Sequence, residues 1–130
     1  MTRVPITPLI RTQYLTLAPE TPIRRATALL VESREAVAPV LHDDGQMVGL
    51  LTQKDCFRSA LHASYYREWT GNVSDHMSRT VVFADANDDL IKLAEMFLAY
   101  PHRILPVCDA EQLVGLVHRS DILTELVRLG

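Results

Sequence analysis

The chain has 130 residues, of which 48% are hydrophobic and 22% charged, with a formal net charge of −3. These values suit one compact globular domain and speak against a general nucleic-acid binder, whose phosphate neutralisation needs a basic surface. No run of 18 apolar residues and no charged-then-apolar leader occurs, so neither a membrane span nor a signal peptide is expected. Cys56 and Cys108 form no CxxC and no secreted framework. They read as buried small hydrophobes in a reducing cytoplasm.

In chain order, residues 1–8 carry two prolines and no periodicity, and read as a lead-in tail. Tyr14–Leu17 is expected to be a short strand ended by Pro19. Thr21-Pro22 then opens a helix to about Ser33, with Thr21 as N-cap and Pro22 in the first turn, where its missing N–H costs nothing. Val37–Leu41 and Met47–Leu51 read as strands around an Asp-Asp-Gly turn. Thr52 starts a second helix through Cys56, Ala60 and Leu61. The following HASYYREWTGNVSDHM holds Tyr65, Tyr66 and Trp69. It either extends the helix and packs on the body or forms a contact with a second copy or an effector. The second half predicts a strand at Val81–Phe83, a helix at Asp88–Ala99, a hairpin of Ile104–Cys108 and Leu113–Val117, and a helix at Ser120–Leu129.

This order is the first half again. GLLTQKD (49–55) returns as GLVHRSD (115–121), 66 residues later, and APVLHDDGQMVG returns as LPVCDAEQLVG. Ile23, Ala26 and Leu30 align with Leu90, Leu93 and Phe97, the spacing of one helix face. The reading is therefore a tail (1–8), a first repeat (9–62), an inter-repeat segment (63–72) and a second repeat (73–130). Units of about 55 residues bury little alone, so the halves are expected to share a core.

A doubled β-α-β-β-α unit with Pro-Val before an acidic turn and G-h-h-x-x-x-D (h apolar) closing each copy resembles the cystathionine β-synthase (CBS) domain pair, or Bateman module, over about residues 9–130. The resemblance implies an α+β fold of two intertwined repeats related by a pseudo-twofold axis, with two clefts between them. It also implies a homodimer and a regulatory role. The ligands it implies are adenosine compounds: AMP, ADP, ATP or S-adenosylmethionine.

Thr52 and Asp55 match the family positions for phosphate and ribose. The same residues form a capping box that needs no ligand, while a carboxylate in a first helical turn can also accept from both ribose hydroxyls. In the second copy Asp121 remains but His118 replaces the usual Ser or Thr. When protonated, such a His donates to phosphate; otherwise it faces solvent without a partner. His102-Arg103 resembles the phosphate-gripping segment of the gamma subunit of AMP-activated protein kinase. Arg suits phosphate through its planar fork, though the pair could equally be an exposed strand edge. The first copy has Glu35 and Ala36 there. By the family's geometry this basic pair serves the cleft of Asp55. Thr16 matches a position near base or phosphate, which Phe83 takes in the second copy.

No G-x-S-x-G, H-E-x-x-H or P-loop occurs, and His42, His62, His76, His102 and His118 lack ligand spacing. The expectation is therefore a stand-alone regulatory module rather than an enzyme, with no metal and no required cofactor, signalling to an unknown effector protein. The competing reading is a ligand-free interaction and dimerisation module. The surplus of apolar residues on the helices, among them Val31, Ile91, Leu123 and Val127, predicts a homodimer joined through them.

Overall fold

The structure, a computed structural model, describes residues 3–130. It divides into two compact units, Tyr14–Val81 and Val82–Gly130, the latter joined by the described residues up to Gln13.

The Tyr14–Val81 unit contains α1 (Ile23–Ser33), β1 (Val37–Leu41), β2 (Met47–Thr52), α2 (Gln53–Tyr66) and a single turn, α3 (Val73–His76). β1 and β2 form the expected antiparallel hairpin, in register from Val37↔Thr52 to Val40↔Gly49. α1 turns Ile23, Ala26 and Leu30 inward, the three-and-four spacing that the sequence shows. They join Val40, Leu51 and Val73 in one buried cluster. α2 runs on to Tyr66, so the aromatic segment is partly helical. Trp69 packs on the core, whereas Tyr65 and Tyr66 stand exposed.

The second unit repeats the plan with β3 (Ala84–Asp85), α4 (Leu90–Ala99), β4 (Ile104–Asp109), β5 (Gln112–His118) and α5 (Arg119–Leu129). β3 pairs parallel with β4, and β4 antiparallel with β5. The unit has its own core around Leu90, Leu93, Val107 and Val117, so each unit holds a buried cluster of its own. Ile6 is fully buried in that cluster, although the sequence sets residues 1–8 apart as a tail; Met1 and Thr2 lie outside the described residues.

Three further expectations are corrected. Tyr14–Leu17 forms no strand; Leu17 alone bridges β1 at Val40. Leu17 donates to the Pro39 carbonyl and accepts from the Leu41 N–H. The next step of this parallel ladder requires a donor at residue 39, and proline has none. In the other unit Pro106 stands one residue before Val107, the partner of Ala84. The same missing donor keeps Val81–Phe83 out of the ladder and leaves the strand at Ala84–Asp85. Thr21 is likewise not a cap. Pro22 holds the N-cap position of α1 without a side-chain bond. The Ile23 N–H instead donates to the Gly71 carbonyl at 3.1 Å, so a neighbouring strand-like segment satisfies the helix start. Among the described residues no helix is long and apolar enough to cross a membrane.

A carboxylate-lined cavity at the start of α2

The β2–α2 junction is built by its own side chains. The Thr52 hydroxyl accepts from the Asp55 N–H at 3.1 Å, and Asp55 Oδ2 accepts from the Thr52 N–H at 2.9 Å. This capping box fixes the Asp55 carboxylate at the rim of a cavity of about 560 Å³ lined by Lys54, Asp55, Arg58, Asp75, His76 and Met77. Lys54 and Arg58 are four residues apart and share a helix face. Among the described residues neither is held by an ion pair or side-chain hydrogen bond. The His76 ring lies 3.1 Å, from Nε2, to the hydroxyl of Ser59, a buried polar residue of α2. Asp75 caps α3 as Asp55 caps α2, accepting from the Asn72 N–H at 2.8 Å.

Carboxylates accept from hydroxyls, while Lys, Arg and protonated His donate to oxyanions. The Met77 thioether offers a soft surface suited to an aromatic ring. The cavity thus complements a small polyol that carries an anionic group.

The other expected site residues lie as follows. Thr16 is exposed, one residue before the Leu17 bridge. His102 and Arg103 are exposed just before β4; the His102 ring stacks parallel to Tyr100, with centroids 5.8 Å apart. The Arg103 carbonyl accepts from the Arg119 N–H, as the Ala36 carbonyl accepts from the Gln53 N–H, both at 2.9 Å. These matching bonds support the alignment of Arg103 with Ala36. His118 occupies the N-cap of α5 but makes no cap bond, so the second copy has no capping box. Asp121 is gripped by Arg11, whose Nε and Nη2 donate to Oδ2 and Oδ1 at 2.9 and 3.2 Å.

The structure therefore joins Thr52 with Asp55, and gathers Arg103, His118 and Asp121 where β4, β5 and α5 meet. Arg103 and Asp55 fall in different units. Sequence reasoning missed Lys54, Arg58, Asp75 and His76. Arg58 was within reach, one helical turn beyond Asp55 and on the same side. Asp75 and His76 were not, because nothing local ties them to α2.

Burial raises the thiol pKa of both Cys56 and Cys108 above the ordinary value, and the neighbouring carboxylates of Asp55 and Asp85 add to it. Among the described residues no group of His, Cys, Asp and Glu could hold a metal ion.

The CBS domain profile matches residues 4–62 and 73–128. Inosine-5'-monophosphate dehydrogenase of Thermoplasma acidophilum is 34% identical over 117 residues, which is 89% of this chain but only 22% of that protein. The CBS domain-containing protein YhcV of Bacillus subtilis is 29% identical over 112 residues, covering 85% of this chain and 77% of YhcV. The structure of CBSX2 in complex with AMP superposes with a TM-score of 0.82 at 23% identity, covering 97% of this chain and 98% of that one. Two matched copies, a hairpin and closing helix in each, and this likeness in fold agree: the chain belongs to the CBS domain family and carries two CBS domains in tandem.

Proposed function

We propose that the chain is a ligand-sensing regulatory module that holds an adenosine nucleotide at the Asp55 cavity and passes its occupancy to a partner protein. The observation carrying this reading is the cavity itself, where a fixed carboxylate faces two uncommitted cations and a histidine. In this reading Asp55 accepts from the ribose hydroxyls, Lys54, Arg58 and His76 hold phosphate, and Thr16, in the same unit, is a further contact. The related CBSX2 has been seen in complex with AMP, which supports an adenine nucleotide as ligand. The dehydrogenase relative is nearly five times longer than the shared region, so its chemistry is not carried over. Titration calorimetry with AMP, ATP, adenosine and S-adenosylmethionine is the test. At least one should bind the unaltered protein, and Asp55→Ala should weaken it about tenfold or more, the loss of a charge-assisted bond. Absence of binding by all four would reject the reading.

The reading includes a homodimer, and a specific feature favours it. An apolar groove runs between α1 and α2, lined by Leu30, Val31, Cys56 and Phe57, and another between α4 and α5, lined by Phe97, Leu98, Ile122 and Leu123. Leu98 is 89% exposed and Phe57 64%. The two units offer matched apolar faces, as a symmetric partner copy requires. Light scattering should give a dimer, and Leu98→Asp should yield monomers. A monomeric unaltered protein at high micromolar concentration would exclude it. Dimerisation without nucleotide binding would leave an interaction module.

A further inference from the structure

The two repeats differ at a position that neither motif contains. The Arg11 backbone is pinned to β5 by two bonds with Leu116, at 2.7 and 2.9 Å. Ser78 is pinned to β2 by the same pair of bonds with Leu50, at 3.0 and 2.9 Å. Leu50 follows Gly49 as Leu116 follows Gly115, so Arg11 and Ser78 hold the same post in their units. There the units diverge. Ser78 has a short neutral side chain, and its hydroxyl donates to the Thr80 carbonyl. Arg11 spans to Asp121 and bonds both of its carboxylate oxygens.

We propose that Arg11 is a built-in counter-ion that occupies Asp121 in place of ligand. The chain then offers one open ribose-directed carboxylate, Asp55, and removal of the guanidinium opens a second. This rests on the nucleotide reading of the Asp55 cavity.

Three observations carry it. The fork is bidentate, so it takes the edge between the two oxygens, which a ribose diol needs in order to bond both. Its anchor cannot drift, because Gly115 lies so close that an added Cβ would stand 2.5 Å from the Arg11 carbonyl oxygen and would overlap Ile10 Cγ2. The pair is also partly open to solvent, with side-chain exposures of 50% for Arg11 and 31% for Asp121. An exposed ion pair adds little to stability, so the Arg11 contact can be removed without unfolding the unit.

The test is calorimetric stoichiometry with AMP and with adenosine on five proteins: unaltered, Asp121→Ala, Arg11→Ser, Arg11→Gln, and Arg11→Ser with Asp121→Ala. Circular dichroism checks that each is folded. The unaltered chain should bind one nucleoside, Arg11→Ser and Arg11→Gln two, and the double variant one again. Two sites in the unaltered chain, one of them lost with Asp121→Ala, would overturn the proposal. So would a single site in both folded Arg11 variants. If the unaltered chain binds nothing, the Asp55 reading fails by itself. Arg11→Ser then decides the present proposal separately: binding that disappears with Asp121→Ala supports it, and no binding refutes it.

Discussion

Asp55 and Asp121 close equivalent heptapeptides and bond to different partners, Asp55 to the Thr52 N–H and Asp121 to the Arg11 guanidinium. The first carboxylate is thus committed to its own helix through one oxygen, and two roles can be separated by substitution. Asp55→Asn keeps an acceptor for the Thr52 N–H, whereas Asp55→Ala removes it and the capping box with it. Asp55→Ala should lose about 0.5–2 kcal/mol of stability and Asp55→Asn much less. Both should bind nucleotide weakly. Urea denaturation checks the first point; equal stabilities of the two variants would show that the cap contributes nothing.

The phosphate contacts are tested by comparing two ligands. Arg58→Ala should weaken AMP about tenfold or more and leave adenosine unchanged, since only AMP carries the oxyanion. Asp121→Ala should leave the Asp55 site nearly intact. Equal losses of AMP and adenosine affinity in Arg58→Ala would mean that Arg58 shapes the cavity and does not touch phosphate.

Gly115→Ala should be severely destabilising. An added Cβ at 2.5 Å from a backbone oxygen forces the chain apart at a pinned strand, and overpacking of this kind costs about 1–3 kcal/mol or more. At Gly49 the nearest atom is the Met77 sulfur, at 2.5 Å, with the Ser78 carbonyl oxygen at 2.8 Å. Met77 is flexible, so Gly49→Ala should cost less. Denaturant midpoints of the two variants give the order directly.

The buried thiols predict an alkaline weakness. Cys56 and Cys108 are 3% and 5% exposed, and burial raises both above the ordinary value of 9.0. A raised folded-state value means that the unfolded chain releases these protons first. Their contribution is therefore complete below pH 9 and lost as pH rises through the folded-state values. Unfolding free energy should fall more steeply above pH 9 in the unaltered protein than in Cys56→Ala/Cys108→Ala. Parallel slopes would show that other groups dominate.

Much of this architecture is legible because its signals are local. Gly49 and Gly115, the Pro-Val pairs and the three-and-four spacing of Ile23, Ala26 and Leu30 each report on a few neighbouring residues. The Thr52–Asp55 capping box is local in the same way. What escapes the sequence depends on distant partners. Whether Tyr14–Leu17 becomes a strand is decided by the missing donor of Pro39, and whether Thr21 caps α1 is decided by the Gly71 carbonyl. Ile6 looks like part of an aperiodic lead-in tail until its burial beside Leu90 and Leu93 is seen. The cavity follows this rule too: Lys54, Asp55 and Arg58 come from one helix, but Asp75 and His76 arrive from beyond the aromatic segment.

The ion pair of Arg11 with Asp121 joins residues 110 positions apart. During synthesis, the Tyr14–Val81 unit can complete its own core before Val82–Gly130 has been made. The segment around Ile6 and Arg11 has no such early option. Its hydrophobic Ile6, buried in the finished protein, leaves the ribosome ahead of the Tyr14–Val81 unit and waits exposed until β5 and α5 follow. Loop closure over that length is slow relative to hairpin formation. Residues made before the Tyr14–Val81 unit are therefore among the last to settle, and the nascent chain passes through a stage in which one unit is built and the other lacks an edge.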